Sequence, residues 1–469
     1  MSEEELDALS LRDAPRLVVT PPGPKALSLR AEQERLETHT VRYMKYFPTA
    51  WDSAKGATIS DVDGNVYIDW TSGAGVLNVG YSNPAVLDAV KKQLDKIVHT
   101  LDIPTEARVA FLQKFHTVLP MGLKGNAKIL FSITGSDAME ASVKMARYIT
   151  NKPTILVFEG AYHGMHYGAL TMSSVTPLQQ KIGPMLPGIF RVPFAYCYRC
   201  HWGKSDGDCS LECLSYLEHL FDDAYSGLSE PAAIAVEPIQ GEGGYIVAPD
   251  EYLRGLRKLA SEQNIFLIFD EVQSGFGRTG KMWASEWSGV VPDAMVVSKS
   301  IAGGIPMAAL AYLEKYDEML PDAFHLGTYR GNAVACAAGA EVISFLTEKR
   351  IVERANRLGE TVLKYLKDLQ SVTDSIGDVR GRGMMIGIEF VRNKESKDPA
   401  PEMATQVQTE CFKRGLVVIK MGHWGNCVRF VPPLVITQTL LDKSLQIFNE
   451  SVKEAERVAP PPTTEGGLG

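Results

Sequence analysis

Asp293-Ala-Met-Val-Val-Ser-Lys299 and, upstream of it, Ile265-Phe-Leu-Ile-Phe-Asp270 share one construction, a short apolar run that ends on a single charge. Runs of this length without polar alternation suit strands buried on both faces. In an open α/β sheet the carboxyl ends of the strands face the ligand crevice. An amine at Lys299 and a carboxylate at Asp270 are therefore better explained by a ligand than by folding. Either charge alone reads equally well as a strand end meeting solvent, so the flanking sequence has to decide.

Working outward, similar runs occupy 128–133, 154–158, 189–194, 232–236, 265–269, 294–297 and 307–313, separated by helix-length stretches. Seven such strands with helical crossovers predict the α/β class, with a large domain at 86–350 built on a seven-stranded, mainly parallel sheet. A charged amphipathic helix at 350–369 and further short strands predict a smaller α+β C-terminal domain over 351–469. Residues 1–85 are expected to form an N-terminal arm and hairpin segment. Pro21-Pro-Gly-Pro24 precedes a charged helical stretch, and Asp63-Gly64 separates two β-prone runs, the signature of a tight hairpin. No internal repeat is present. The Pro-rich tail from Ala459 onward is expected to be disordered.

With 469 residues, 45% hydrophobic content and a formal charge of -8, the composition is that of an ordinary globular protein. The acidic balance and the lack of basic clusters with interleaved aromatics argue against nucleic acid as a partner. The beginning, Met-Ser-Glu-Glu-Glu-Leu-Asp, is acidic where a signal peptide is basic and then apolar. No apolar run approaches the ~18 residues of a membrane span, so a cytoplasmic protein with no membrane partner is expected.

Three further segments bear on chemistry. Gly135-Ser136-Asp137 follows a strand and opens a helix, so free backbone N–H groups and the positive helix end point at one spot, which suits a phosphate. By itself the same triplet reads as an ordinary N-cap. Phe158-Glu-Gly-Ala-Tyr162-His163-Gly164 ends the next strand with an aromatic able to stack on a flat ring. A phosphate site, a stacking ring, a lysine and a carboxylate together match the needs of pyridoxal 5′-phosphate. The lysine forms a Schiff base with the cofactor aldehyde, and the carboxylate keeps the pyridine nitrogen protonated.

On these and other stretches the chain resembles the class III aminotransferases of the fold-type-I pyridoxal phosphate family, from about residue 40 to about residue 455. The matching stretches are Thr134-Gly-Ser-Asp-Ala138, Gly160-Ala-Tyr-His-Gly164, Val236-Glu-Pro-Ile-Gln-Gly-Glu-Gly-Gly244, Phe269-Asp-Glu-Val-Gln-Ser-Gly-Phe-Gly-Arg-Thr-Gly280, Ser298-Lys299 with Gly303-Gly-Ile-Pro306, Gly327-Thr-Tyr-Arg-Gly-Asn332 and Arg429-Phe-Val-Pro-Pro-Leu434. The resemblance implies that Lys299 carries the cofactor, Asp270 pairs with the ring nitrogen, Gln273 reaches the ring hydroxyl and Tyr162 stacks on the ring. Gly135, Ser136 and Asp137 are expected around the phosphate, with His163 and Glu237 also at the cofactor. Thr328 is expected to reach the phosphate of a neighbouring subunit, which implies a homodimer with shared active sites, with pairing into tetramers left open. For the substrate, an amino donor and a 2-oxo acid, the resemblance points to Tyr46, Glu242 and Arg429. Glu242 closes on Arg429 in one half-reaction and releases it to bind an α-carboxylate in the other, a task that suits a bidentate arginine. The alternative is a fixed salt bridge.

Met165 stands where many 4-aminobutyrate and ornithine enzymes keep arginine. Tyr162-His-Gly-Met165 and Gly327-Thr-Tyr-Arg-Gly-Asn332 instead resemble diaminobutyrate aminotransferases. Some members of the class are racemases or epimerases, which share the turn at 422–426 and the Pro-Pro-Gly-Pro arm. That leaves two enzyme readings open beside a cofactor-binding scaffold without activity. Finally, Cys197-Tyr-Arg-Cys200 and Cys209-Ser-Leu-Glu-Cys213 have the paired spacing of a structural zinc site, although the loop between the pairs is short. Four reduced thiols are the alternative.

Overall fold

Seven short apolar segments pair into one sheet: β1 (Ala127–Ser132), β2 (Thr154–Phe158), β3 (Ile189–Val192), β4 (Pro231–Val236), β5 (Phe266–Asp270), β6 (Ala294–Val297) and β7 (Ala308–Leu313). This computed structural model describes residues 1–205 and 208–458, so the Pro-rich tail lies outside the described residues. The strand order is β1-β7-β6-β5-β4-β2-β3. All neighbours are parallel except at β7, which runs antiparallel to both β6 and β1. The sheet is therefore mainly parallel, as the runs predict.

The absence of polar alternation along these strands has a packing cause. Ile155, Val157, Ala233, Ala235 and Ile268 face a cluster that contains Ala138, Met139 and Met145 of helix α1 (Gly135–Thr150). The residues between them, Leu156, Phe158, Ile234, Val236, Leu267 and Phe269, face the opposite cluster, with Tyr252, Leu253 and Leu256 of helix α2 (Asp250–Glu262). Both faces of the sheet are covered, and each large apolar side chain so buried contributes about 1.5–3 kcal/mol. The small residues Ala138, Ala141, Ser142 and Ala146 on the buried face of α1 let that helix approach closely.

The chain divides into two compact units. One comprises Pro84–Arg357 with Gly381–Gly383; the other comprises Met1–Asn83, Leu358–Arg380 and the chain from Met384 onward. The N-terminal segment, expected as an arm of its own, thus belongs to the same unit as the C-terminal segments. In that unit Thr58–Asp61 and Val66–Asp69 form the expected antiparallel hairpin, and Val66–Asp69 pairs in parallel with Leu416–Val417. The turn residue Asp63 explains how the proline-rich segment is held. Its two carboxylate oxygens accept from the backbone N–H groups of Lys25 and Ala26, each at 2.9 Å. These are orphan donors at the start of the helix Pro24–Leu36, whose own cap position, Gly23, has no side chain to cap them.

The first unit places its chemistry beyond the carboxyl ends of the strands, and the loop after β5 is fastened from within. Glu271, 1% exposed, accepts from Ser274 Oγ at 2.6 Å, Ala284 N at 3.0 Å and Ser285 N at 2.7 Å. Its removal strands three buried donors, each of which costs roughly 1–3 kcal/mol when unsatisfied. Glu271→Ala is expected to lower stability by about 3 kcal/mol or more, read as the shift in the urea midpoint. A loss below ~1 kcal/mol would show that the loop is held by other contacts.

Candidate active site

Lys299 follows β6 by two residues, and its backbone is left-handed, with φ +48°. A non-glycine residue there costs about 1–3 kcal/mol and persists only where the surroundings over-determine it. The surroundings do so here. Ser298 Oγ donates to the Met307 carbonyl at 3.1 Å on one side, and Ser300, Ile301 and Ala302 are buried on the other. The lysine is thereby aimed from the strand end into a cavity of about 180 Å³.

Asp270, the last residue of β5, is 5% exposed. Its Oδ1 accepts from Val272 N at 3.0 Å, and its Oδ2 lies 2.8 Å from Nδ1 of His163, whose side chain is fully buried. Burial opposes a charge on His163, but the hydrogen bond to Asp270 and the charges of Asp270 and Glu237 together outweigh it and raise the imidazole pKa. The other ring nitrogen, Nε2, is buried with no hydrogen-bond partner among the described residues. His163 is itself held through its backbone, which donates to Ser173 Oγ at 2.8 Å.

Glu237 follows the end of β4. Its two oxygens accept from Tyr162 N at 2.9 Å and Gly241 N at 2.8 Å, tying the loop after β2 to the loop after β4. Burial, and then the nearby Asp270 charge, push its pKa up to about 7. Two carboxyl groups and one imidazole thus share the deepest part of the site.

The cavity is lined by Gly135, Ser136, Tyr162, His163, Glu237, Glu242, Asp270, Gln273 and Lys299, nine of the residues singled out from the sequence. Gly164, Gly241, Val272 and Ser298 complete the wall and were not singled out. Gly164 had a legible reason to be noticed. At φ +125° it lets the loop cross the start of α1, where an added Cβ would lie 1.9 Å from Ser136 Oγ. Ser136 Oγ accepts from Met165 N at 3.1 Å, which fixes that crossing. Gly135 and Ser136 stand in the first turn of α1, capped by Thr134, where the N–H groups have no preceding helical carbonyl and favour an anion.

Four of the expected site residues are not among those that line this cavity. Asp137 gives its N–H to Thr134 Oγ1 at 3.2 Å and turns its carboxylate to Arg330, with Nη2 to Oδ1 at 2.6 Å. The Asp137 side chain is thus engaged in an ion pair one residue from Ser136. Thr328 lines a separate cavity of about 550 Å³ with Leu101, Arg108, Leu326 and Arg330. Tyr46 and Arg429 belong to the other unit. The Tyr46 hydroxyl accepts from Arg42 Nε at 2.8 Å, and Arg429, 2% exposed, lies on the strand Cys427–Phe430.

Of the four cysteines expected at a zinc site, Cys213 lies near enough to Cys209 and Cys197 to feel their charges. Among the described residues no group of three or more His, Cys, Asp or Glu side chains gathers at metal-binding geometry. Cys209 Sγ lies 3.6 Å from Glu212 Oε2, while Cys213 packs into the apolar cluster, where burial pushes its thiol up to about 12. The short connection between the pairs leads into a helix, Glu212–Asp222, whose first turn carries Cys213 inward.

The donors present fit pyridoxal phosphate: a lysine at a strand end, a buried carboxylate braced by an imidazole, and an anion-favouring helix start, all on one cavity. The raised pKa values fix a pH dependence. A carboxyl that ionises at about 7 folded, against 4.5 as a model group, binds more protons in the folded state between those values. A histidine raised by its partner likewise loses its stabilising contribution as pH rises through its folded pKa. Both signs agree, so the cofactor-free protein is expected to lose stability as pH rises from about 4.5 to about 7. The slope of melting temperature against pH should flatten in Glu237→Gln. An unchanged slope in that variant would move the titration elsewhere.

Residues 40–452 match the family described as Aminotransferase class-III. The diaminobutyrate–2-oxoglutarate aminotransferase of Rhizobium meliloti is 38% identical over 420 residues, covering 88% of this chain and 89% of that protein. The alanine/serine racemase of Pyrococcus horikoshii is 35% identical over 451 residues, covering 95% and 94%. Among solved structures, a thermostable (S)-enantioselective omega-transaminase from Thermomicrobium roseum superposes with a TM-score of 0.82 at 28% identity, covering 92% of this chain and 98% of that one. With the strand order, the lysine, the carboxylate and the helix start in agreement, the chain belongs to the class III aminotransferases, pyridoxal phosphate-dependent enzymes of fold type I.

Proposed function

We propose that the protein moves an amino group from an ω-amino acid or diamine-type donor, diaminobutyrate- or 4-aminobutyrate-like, to 2-oxoglutarate in the two half-reactions of a ping-pong cycle. The observation that carries this reading is the convergence of the Lys299 amine, the Asp270–His163 pair and the first turn of α1 on one cavity. The relative from Rhizobium meliloti supports the donor class, and Met165, which leaves no arginine at that position to clamp a second carboxylate, favours its diaminobutyrate-like members over the 4-aminobutyrate-like ones.

When bound, pyridoxal phosphate supplies an electron sink for the charge left at the substrate Cα. Lys299 anchors the cofactor and then moves the proton at Cα, as base and afterwards as acid. Asp270 keeps the ring nitrogen protonated, and the His163 imidazole fixes that carboxylate in place. Gln273 reaches the ring hydroxyl, Tyr162 stacks on the ring, and Gly135 and Ser136 hold the phosphate. Glu237 holds the backbone on which Tyr162 is mounted. Arg429 binds the α-carboxylate of the keto acid, Glu242 screens it while the ω-amine reacts, and Tyr46 contacts substrate.

The working form is a homodimer in the cytoplasm, with Thr328 completing the phosphate site of the second copy. An exposed apolar patch supports this. Leu94, Ile97, Val98, Leu101 and Ile103 lie at 47–63% exposure on one segment, with Leu326 and Tyr329 at 69% and 66% on the segment of Thr328. The two segments are joined, since Asn332 Nδ2 donates to the Val98 carbonyl at 2.9 Å and the Tyr329 ring lies 5.5 Å from that of His99. Contiguous apolar surface of this kind marks an interface.

A racemase or epimerase is the second reading, favoured by the relative from Pyrococcus horikoshii. Lys299→Ala is expected to abolish turnover and the absorbance band of the lysine-bound cofactor while noncovalent binding persists. A surviving band would assign the cofactor to another lysine. Arg429→Ala separates the two enzyme readings. The keto-acid half-reaction should lose about 1.5–3 kcal/mol of transition-state binding and the ω-amine half-reaction much less, measured by stopped-flow absorbance of each half. Equal losses in both halves, or no pyridoxamine form with any donor, would reject the transaminase and promote the epimerase.

A further inference from the structure

The segment from His325 to Gly331 carries its charges inward and its apolar side chains outward, the reverse of a loop that faces water. Arg330 and His325 have 12% and 8% of their side chains exposed, while Leu326 and Tyr329 are two-thirds exposed. The inward charges converge on Asp137 in the first turn of α1. Arg330 grips that carboxylate with both edges, Nη2 to Oδ1 at 2.6 Å and Nε to Oδ2 at 3.2 Å. His325 Nε2 lies 3.1 Å from Oδ1. Two turns further along α1, Lys144 donates to His325 Nδ1 at 2.9 Å and to the Phe324 carbonyl at 3.1 Å. Lysine and arginine side chains can only donate, so His325 faces an obligate donor at each ring nitrogen, Lys144 at Nδ1 and Arg330 Nη2 at 2.7 Å from Nε2. The same carboxylate also accepts from Ile133 N at 3.2 Å, where the chain leaves β1.

The loop is built around this guanidinium. A Cβ at Gly327 would lie 2.5 Å from Arg330 Nε, so a side chain there would displace the guanidinium. Gly331, at φ +63°, passes so close to Arg108 that a Cβ would lie 2.8 Å from its Cζ. Thr328 sits between these two glycines, next to the exposed Tyr329.

We propose that Asp137 and Arg330 are positioning residues that latch the segment carrying Thr328 to the helix whose first turn holds the phosphate in the same subunit, so that cofactor binding and pairing with a second copy are coupled through this ion pair. The proposal rests on the reading that Thr328 completes the second copy's site. Asp137 is two residues from Gly135 and one from Ser136, so an anion that orders the first turn of α1 orders the Asp137 carboxylate with it. Ordering that carboxylate holds Arg330 and the loop in the conformation that the second copy meets. Through the ion pair, each subunit's phosphate site stiffens the loop it offers to its partner.

The test is the dimer dissociation constant, measured by sedimentation on the holoenzyme and on cofactor-stripped protein, for the wild type, Arg330→Gln, Asp137→Asn and Thr328→Ala. The holoenzyme should dimerise more tightly than the stripped protein by roughly 5- to 100-fold, the usual range for coupled sites. That ratio should collapse towards one in Arg330→Gln and in Asp137→Asn, which keeps an oxygen for Ile133 N. Inorganic phosphate added to stripped wild type should recover part of the tightening, and should fail to do so in either latch variant. A merely structural ion pair would weaken both forms alike and leave the ratio unchanged, which overturns the proposal. If Thr328→Ala loses the ratio while both latch variants keep it, the latch is wrong and the shared-site reading stands. If no variant changes the ratio, the role of Thr328 fails as well.

Discussion

A carboxylate at the end of a buried strand is the constraint around which the first unit is arranged. Asp270 sits at 5% exposure between β4 and β6, where an isolated charge would cost several kcal/mol. His163 meets it at 2.8 Å from the loop after β2, and the loop after β5 supplies a backbone N–H to its other oxygen. Each of these partners has to be held in turn. His163 is fixed through Ser173, and the loop after β5 is fixed through the buried Glu271. Satisfying one charge thus determines the course of two loops, and those loops form much of the wall of the cavity.

The same network carries more negative charge than the imidazole can neutralise. Glu237 and Asp270 are both buried, and the His163 imidazole hydrogen-bonds directly to Asp270. Burial first, and then the neighbouring Asp270 charge, raise the pKa of Glu237, and its proton removes one of the two negative charges. A protonated ring nitrogen opposite Asp270 would correct the imbalance in another way. On this view the cofactor is part of the electrostatics of the fold as well as of the reaction, and the left-handed backbone at Lys299 is a further strain tolerated for the sake of the site.

Asp137 and Cys213 show how the surroundings of a residue are set beyond its own stretch of sequence. Asp137 stands beside the anion-favouring helix start, yet its charge suits it to a cation, and Arg330 arrives from almost two hundred residues away to meet it. The helix at Glu212–Asp222 turns Cys213 into an apolar cluster, within reach of the charges of Cys209 and Cys197, while Cys209 also lies near Glu212. In both cases the neighbours that decide the outcome are remote in sequence or are set by where a helix begins.

What the sequence determined by itself was the arrangement of strands and the chemistry at their ends. Seven apolar runs without alternation correspond to seven strands covered on both faces, because burial on two sides leaves no position for a polar residue. Lys299, Asp270 and Gly135 were legible for a related reason, since each breaks the pattern of its surroundings at the point where a strand ends or a helix begins. The partners of those residues were not legible. The tie from Glu237 to Tyr162 N, the His163–Asp270 pair and the Arg330–Asp137 pair join residues 75, 107 and 193 positions apart. No local propensity or periodicity records which loop will meet which. Only the strand order, which places β4 between β2 and β5 and β7 beside β1, brings those groups within hydrogen-bonding distance.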